Sequence, residues 1–169
     1  MVRIGEIVTD ILNSRGIGTI HITALNDHPN YNNSYKRSRA LVEEALAKYP
    51  GVQMVIDLHR DSYQTDAGIY KSYTEVNGCG AAQLMIVSGT GGNENWKENL
   101  GIQTRIHNFV ENRYPGLMRP ILLRDSSYNH DLTPGSMIVE FGTDGNELSE
   151  AMYSAYLFAD ALADYLLDE

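Results

Sequence analysis

Apolar positions along the chain fall into two kinds of spacing, and their order predicts helices alternating with strands. From Val2 to Ser14, the residues Ile4, Ile7, Val8, Ile11 and Leu12 recur at the three- and four-residue intervals of one helix face, and Gly16 and Gly18 supply a stop. Residues 19–24 (TIHITA) are β-branched and alternating, which predicts a strand, whereas 25–33 (LNDHPNYNN) carry the Asn, Asp and Pro of a loop. A second helix over 34–48 turns Ala40, Leu41, Ala45 and Leu46 inward. The apolar run 52–58 then reads as a parallel strand covered on both faces, introduced by Pro50 and Gly51 and ended by His59, Arg60 and Asp61.

The second half repeats the scheme. Residues 62–80 spread Tyr63, Tyr70 and Tyr73 among polar residues and glycines, as a loop or irregular hairpin would, and 81–88 is another apolar strand closed by a glycine-rich turn. A long amphipathic helix over 93–114 places Trp96, Leu100, Ile106, Phe109 and Val110 on one side and stops at Pro115 and Gly116. A short outer strand at 119–123, a polar loop at 124–134, a strand at 136–142 and a closing helix at 148–167 complete the chain. The fold class expected is α/β, one domain with three α/β/α layers around a mostly parallel central sheet.

Composition narrows the partners. Thirteen Lys and Arg against 22 Asp and Glu give a net charge of -9, so nothing draws the chain to nucleic acid or an anionic membrane, which reward clustered basic residues. A single cysteine, Cys79, allows no internal disulfide. Neither a signal peptide nor eighteen consecutive apolar residues is present, and the sequence reads as a domain of the kind cut from a longer protein. The glycines after residue 88 match neither GxxxxGK[ST] nor GxGxxG, so a phosphate loop is not expected.

Candidate chemistry collects where apolar strands give out. His59 and Glu140 each end such a run, and in open α/β sheets ligands gather beyond the carboxyl ends of strands. Alternation puts Glu140 on the face of Ile138, opposite Val139 and Phe141, where a low-dielectric wall would raise its proton affinity as a general base requires. His59 alone is a weak metal signal, because catalytic zinc takes three protein ligands and no HExxH or cysteine pair accompanies it. His28 and His130 stand on the two polar loops, either of which would have to swing an imidazole toward His59 to enlarge a ligand set. Lys36, Arg37 and Arg39 crowd a first helical turn that prefers acidic residues, which fits either an anionic partner or a solvated basic turn.

Four segments together carry a resemblance: 27–38 (DHPNYNNSYKRS), 56–62 (IDLHRDS), 128–134 (YNHDLTP) and 138–142 (IVEFG) resemble those of the stage II sporulation protein P family, in the family's order and over essentially the whole chain. That family is similar to zinc-dependent N-acetylmuramoyl-L-alanine amidases. The resemblance implies a peptidoglycan hydrolase that remodels the septal wall during engulfment, outside the cytoplasmic membrane, beside other sporulation wall-remodelling membrane proteins, and that cuts peptide crosslinks as well. It also implies a membrane-anchored parent. By the same resemblance the zinc histidine of the DLHRD motif falls on His59 and the catalytic glutamate of the EFG motif on Glu140. Arg60 or Arg37 is expected to hold a stem-peptide carboxylate, with Asn129 and Asp131 as walls. A preceding strand that carries a further His and Glu ligand in the family has no counterpart in this sequence, so the expected zinc set over residues 1–169 is incomplete. A wall-binding or scaffolding domain of the same fold is the alternative.

Overall fold

The computed structural model describes residues 1–66 and 68–168. Its first helix, α1 (Val2–Ser14), buries Ile4, Ile7, Val8 and Leu12, the stripe that the spacing dictates. Gly16, at φ +83°, ends it: its N–H donates to the Asn13 carbonyl, and the Ile17 N–H reaches the Leu12 carbonyl at 2.9 Å. This paired closure needs a left-handed residue, and it turns Ile17 back onto the core.

Residues 19–24 enter no ladder, which corrects the strand expected there. Ile20 and Ile22 are exposed, while His21 packs over α1 so closely that a Cβ on Gly5 would lie 2.1 Å from its Nε2. A 3-10 turn (Tyr31–Asn33) leads into α2 (Ser34–Lys48), which buries no residue fully.

The central sheet has the order β1 (Ile56–Asp61), β8 (Met137–Thr143), β6 (Leu84–Gly89), β7 (Leu122–Arg124). Two small antiparallel hairpins, β2 (Gln64–Thr65) with β3 (Gly68–Ile69) and β4 (Tyr73–Val76) with β5 (Cys79–Ala82), fill the stretch between β1 and β6. The β1–β8 and β6–β7 pairings are parallel, while β6 runs antiparallel to β8, so the sheet is mostly but not wholly parallel. β6 is buried along its whole length, whereas β1 is an edge strand and only half-buried, starting at Ile56 rather than Val52. The ionisable residues therefore lie within the strand and not beyond it.

Helices α1, α3 (Trp96–Arg113) and α4 (Leu148–Asp168) cover one face of the sheet. Leu84, Ile86, Val139, Phe141 and Phe158 pack there at 1% exposure or less, and the alanines at 155, 159, 161 and 163 let α4 lie close to its neighbours. The other face carries a small cluster, Met85, Val87 and Ile138, under Tyr35 of α2, Leu122 and Tyr128. The three α/β/α layers are thus present but unequal, α2 alone forming the thin one.

Candidate functional site

Register brings the two sequence candidates together. His59 of β1 lies directly opposite Glu140 of the parallel strand β8, on the thin-layer face. Alternation also puts Asp57 and Asp61 there, and Asp57 Oδ2 meets His59 Nε2 at 3.1 Å. The imidazole stacks nearly parallel to the Tyr35 ring, 6.5 Å between centroids and 7° between planes. Hydrogen bonding to Asp57 raises the proton affinity of His59, with burial working against it.

Glu140 has the more unusual surroundings. Its Oε2 is buried and meets no hydrogen-bond partner among the described residues. Desolvation therefore lifts its carboxyl to about 7, helped by the negative charges of Asp61 and Asp57 and opposed by His59 and Arg119. A carboxyl that titrates near neutrality can both take and return a proton. Just past it, the ladder slips: His59 faces Glu140, but Asp61 faces Thr143. Gly142, at φ +74°, supplies the extra residue, and any Cβ there would sit 2.6 Å from Asn146 Oδ1 and 2.7 Å from Ala82 Cβ.

The rim is built from polar ties between α2 and the loop at 125–134. Asn129 Nδ2 donates to the Tyr35 carbonyl at 3.0 Å and to Ser38 Oγ at 3.1 Å. Arg39 grips Asp131 with both terminal nitrogens, at 3.0 and 2.8 Å, and holds its carboxyl below the usual range. Asn129 thereby ties down the main chain at Tyr35, and Asp131 the next turn of α2. His130 is turned inward: it is 2% exposed, its Nδ1 accepts from the Gly89 N–H at 3.0 Å, and burial lowers its pKa to about 4.

Two candidate arginines go elsewhere. Arg60 projects to the opposite face of β1 from His59, where its fork donates to the carbonyls of Thr143, Asp144 and Asn146 at 2.7–3.0 Å. Arg37 donates to the Asn26 carbonyl and, at 2.5 Å, to that of Asn30, which secures the loop at 25–33. Carbonyl oxygens thus engage Nε and Nη2 of both guanidinium groups. His28 is exposed on that same loop. Sequence reasoning missed Tyr35, Asp57 and Arg119. Asp57 was within reach of a period-two argument from His59, but no sequence signal sets Arg119 apart from other arginines.

The donors do not make a zinc site by themselves. Among the described residues no group of three or more His, Cys, Asp and Glu side chains is disposed to hold a metal ion, and catalytic zinc needs three. His130 does not enlarge the set, because its Nδ1 is engaged by Gly89. The cavity of about 80 Å³ under the rim loop, lined by Asn93, Asn99, His130 and Thr133 among others, does not include His59 or Glu140. The paired residues instead lie on an open face, His59 being 36% exposed and Asp57 40%.

Comparison with known proteins agrees over the whole chain. The fold is similar to that of the CwlD amidase from Clostridioides difficile in complex with the GerS lipoprotein (TM-score 0.53, 13% identity, 99% of this chain and 85% of that one). It is also similar to the N-acetylmuramoyl-L-alanine amidase AmiC2 of Nostoc punctiforme (TM-score 0.52, 14% identity, 99% and 80%). At such identities the likeness is one of fold. In sequence the chain is 31% identical over 176 residues to the stage II sporulation protein P of Bacillus subtilis (strain 168), a match that takes in 98% of this chain and 43% of that relative, so the chain spans less than half of it. With residues 1–163 also matching the family model for stage II sporulation protein P, the chain belongs to that family.

Proposed function

We propose that the chain is the catalytic-face portion of a peptidoglycan hydrolase, an N-acetylmuramoyl-L-alanine amidase that also opens peptide crosslinks, acting on the septal wall during sporulation. The observation that carries this reading is the pairing of His59 with a Glu140 whose buried oxygen has no partner and whose carboxyl titrates near 7. In this role Glu140 accepts the proton of the attacking water and returns it to the departing amine, general acid–base work that contributes roughly 10²- to 10⁴-fold. Tyr35 and Asp57 hold the imidazole ring from its face and its edge. An open face suits a polymer that no closed pocket would admit.

Zinc is the proposed cofactor of the full activity, with His59 as the imidazole this chain contributes. Because the donor set within the described residues is incomplete, no catalytic step here is assigned to the metal. The same incompleteness favours a second reading, in which residues 1–169 on their own bind wall polymer without cutting it. Action outside the cytoplasmic membrane, anchoring of the parent protein and association with other wall-remodelling membrane proteins complete the proposal. They are supported by family membership and by the lipoprotein complex of the similar CwlD.

The test is a muropeptide digest by the full coding sequence and by residues 1–169, with zinc measured after dialysis. The full protein should release stem peptides and its Glu140→Gln variant should lose roughly 10²- to 10⁴-fold in rate while keeping its metal. The 169-residue chain should hold little zinc and turn over little or nothing. Full activity in Glu140→Gln removes the base, and one tightly held zinc with turnover in the short chain shows that its donor set is complete.

A further inference from the structure

Five arginines near the sheet or its flanking helices are tied up by carbonyls or carboxylates. Arg37 and Arg60 each meet main-chain oxygens through two nitrogens, Arg39 is bidentate to Asp131, and Arg15 and Arg113 share Asp160 and Asp164. Arg119 differs. Its backbone is anchored at both ends of the residue, the N–H donating to the Leu84 carbonyl at 2.7 Å and the carbonyl meeting His107 Nε2 at 3.1 Å. Its side chain makes one hydrogen bond among the described residues, Nη1 to Asp61 Oδ2 at 3.0 Å, with the two side chains 23% and 21% exposed. A guanidinium has five N–H donors in a planar fork, so one corner is engaged and the rest of the fork is available. Its positive charge also acts directly on Glu140.

We propose that Arg119 is the anion clamp of this site, taking the free α-carboxylate of the second stem-peptide residue, and that Asp61 holds the guanidinium in place until substrate displaces it. The inference rests on the amidase reading and adds to it a specificity-determining contact. Asp61 lies two positions beyond His59 along β1, roughly 7 Å at the rise of a strand. Two extended peptide residues beyond a scissile amide at His59 and Glu140 cover about the same distance, roughly 3.3–3.6 Å each. An arginine fork pairs two oxygens of a carboxylate at once, while Asp61 engages a single nitrogen. The exchange of one carboxylate for another keeps the half-buried cation neutralised throughout.

Two probes test this on the 169-residue chain by calorimetric or NMR titration: N-acetylmuramoyl-L-alanyl-D-glutamate capped as its γ-methylamide, and the same molecule with the α-carboxylate converted to carboxamide. The wild-type chain should prefer the carboxylate about tenfold, as expected for a charge-assisted bidentate contact. Arg119→Gln should bind the two probes equally, and Arg119→Lys should recover part of the preference. Asp61→Asn leaves Arg119 in place and frees its fork, so it should enlarge the preference, which gives an independent reading if Arg119→Gln proves unstable. Binding of both probes without preference in the wild type, or a preference that survives in Arg119→Gln, overturns the clamp and leaves the amidase reading standing. Binding of neither probe by the wild type overturns the clamp on this chain, and the muropeptide digest by the full coding sequence decides the amidase reading separately.

Discussion

The two faces of the sheet are made by the same strands and have opposite characters. On one, Leu84, Ile86, Val139 and Phe141 are sealed under three helices; on the other, Met85, Val87 and Ile138 form a small patch beside Asp57, His59 and Glu140, roofed by one helix that buries none of its own residues fully. Strand alternation permits this division within a single segment, since neighbours on β8 point to opposite sides. The lesson is that stability and chemistry are separable here residue by residue. Phe141 belongs to the fold and Glu140 to the site.

Substitutions can break that separation. The largest effect belongs to the sealed face: Phe141→Ala should cost about 3–5 kcal/mol in urea unfolding, as a large buried ring leaves a cavity that its neighbours only partly fill. Glu140→Gln, one residue away, should change the same measurement by less than about 1 kcal/mol. Equal losses would show that the two faces are not independent.

A smaller effect lies at the rim and depends on pH. The pKa of His130 is depressed from 6.5 to about 4, so its contribution is present above pH 6.5 and is lost as pH falls toward 4, where the unfolded chain binds a proton that the folded one refuses. Asp57 and Asp131 face it with opposing charge, but burial outweighs them. His130→Gln can keep an acceptor for the Gly89 N–H and removes the titration. It should therefore be less acid-sensitive than the wild type by on the order of 2 kcal/mol between pH 6.5 and 4. Identical acid profiles would show that the rim does not sense protons through this ring. Smallest of all, Arg39→Ala breaks a solvent-exposed pair with Asp131 and should cost under about 1 kcal/mol, vanishing at high salt. A larger loss would mean that the rim tie carries Tyr35, and with it the site.

Much of this was legible from spacing alone. The four helices and the strands β6 and β8 follow the periodicity, and alternation placed Glu140 correctly because β8 is buried on both sides of its ladder. What failed did so for lack of long-range information. Residues 19–24 alternate as a strand does, yet no neighbour completes a ladder for them. β1 runs on through His59, Arg60 and Asp61 because an edge position tolerates ionisable residues that a central one would exclude. The direction of β6 depends on how the hairpins at 64–82 return the chain, which composition does not report. The carbonyl partners of Arg60 and Arg37 were likewise invisible, because a sequence shows the guanidinium and not the main chain it meets.

β8 is the last strand in the chain, yet it lies between β1 and β6. Connectivity thus runs against the order of synthesis: a nascent chain that has delivered β1, β6 and β7 still holds a sheet split down its middle, with two apolar edges waiting. Contacts of such wide sequence separation are closed late, after the local hairpins and helices have formed. The pairing of His59 with Glu140 coincides with that insertion, so the chain meets its own base only when its tertiary structure is nearly complete. An interrupted or unfinished chain would carry the histidine without the glutamate, and a proton-transfer site cannot form ahead of the fold that confines it.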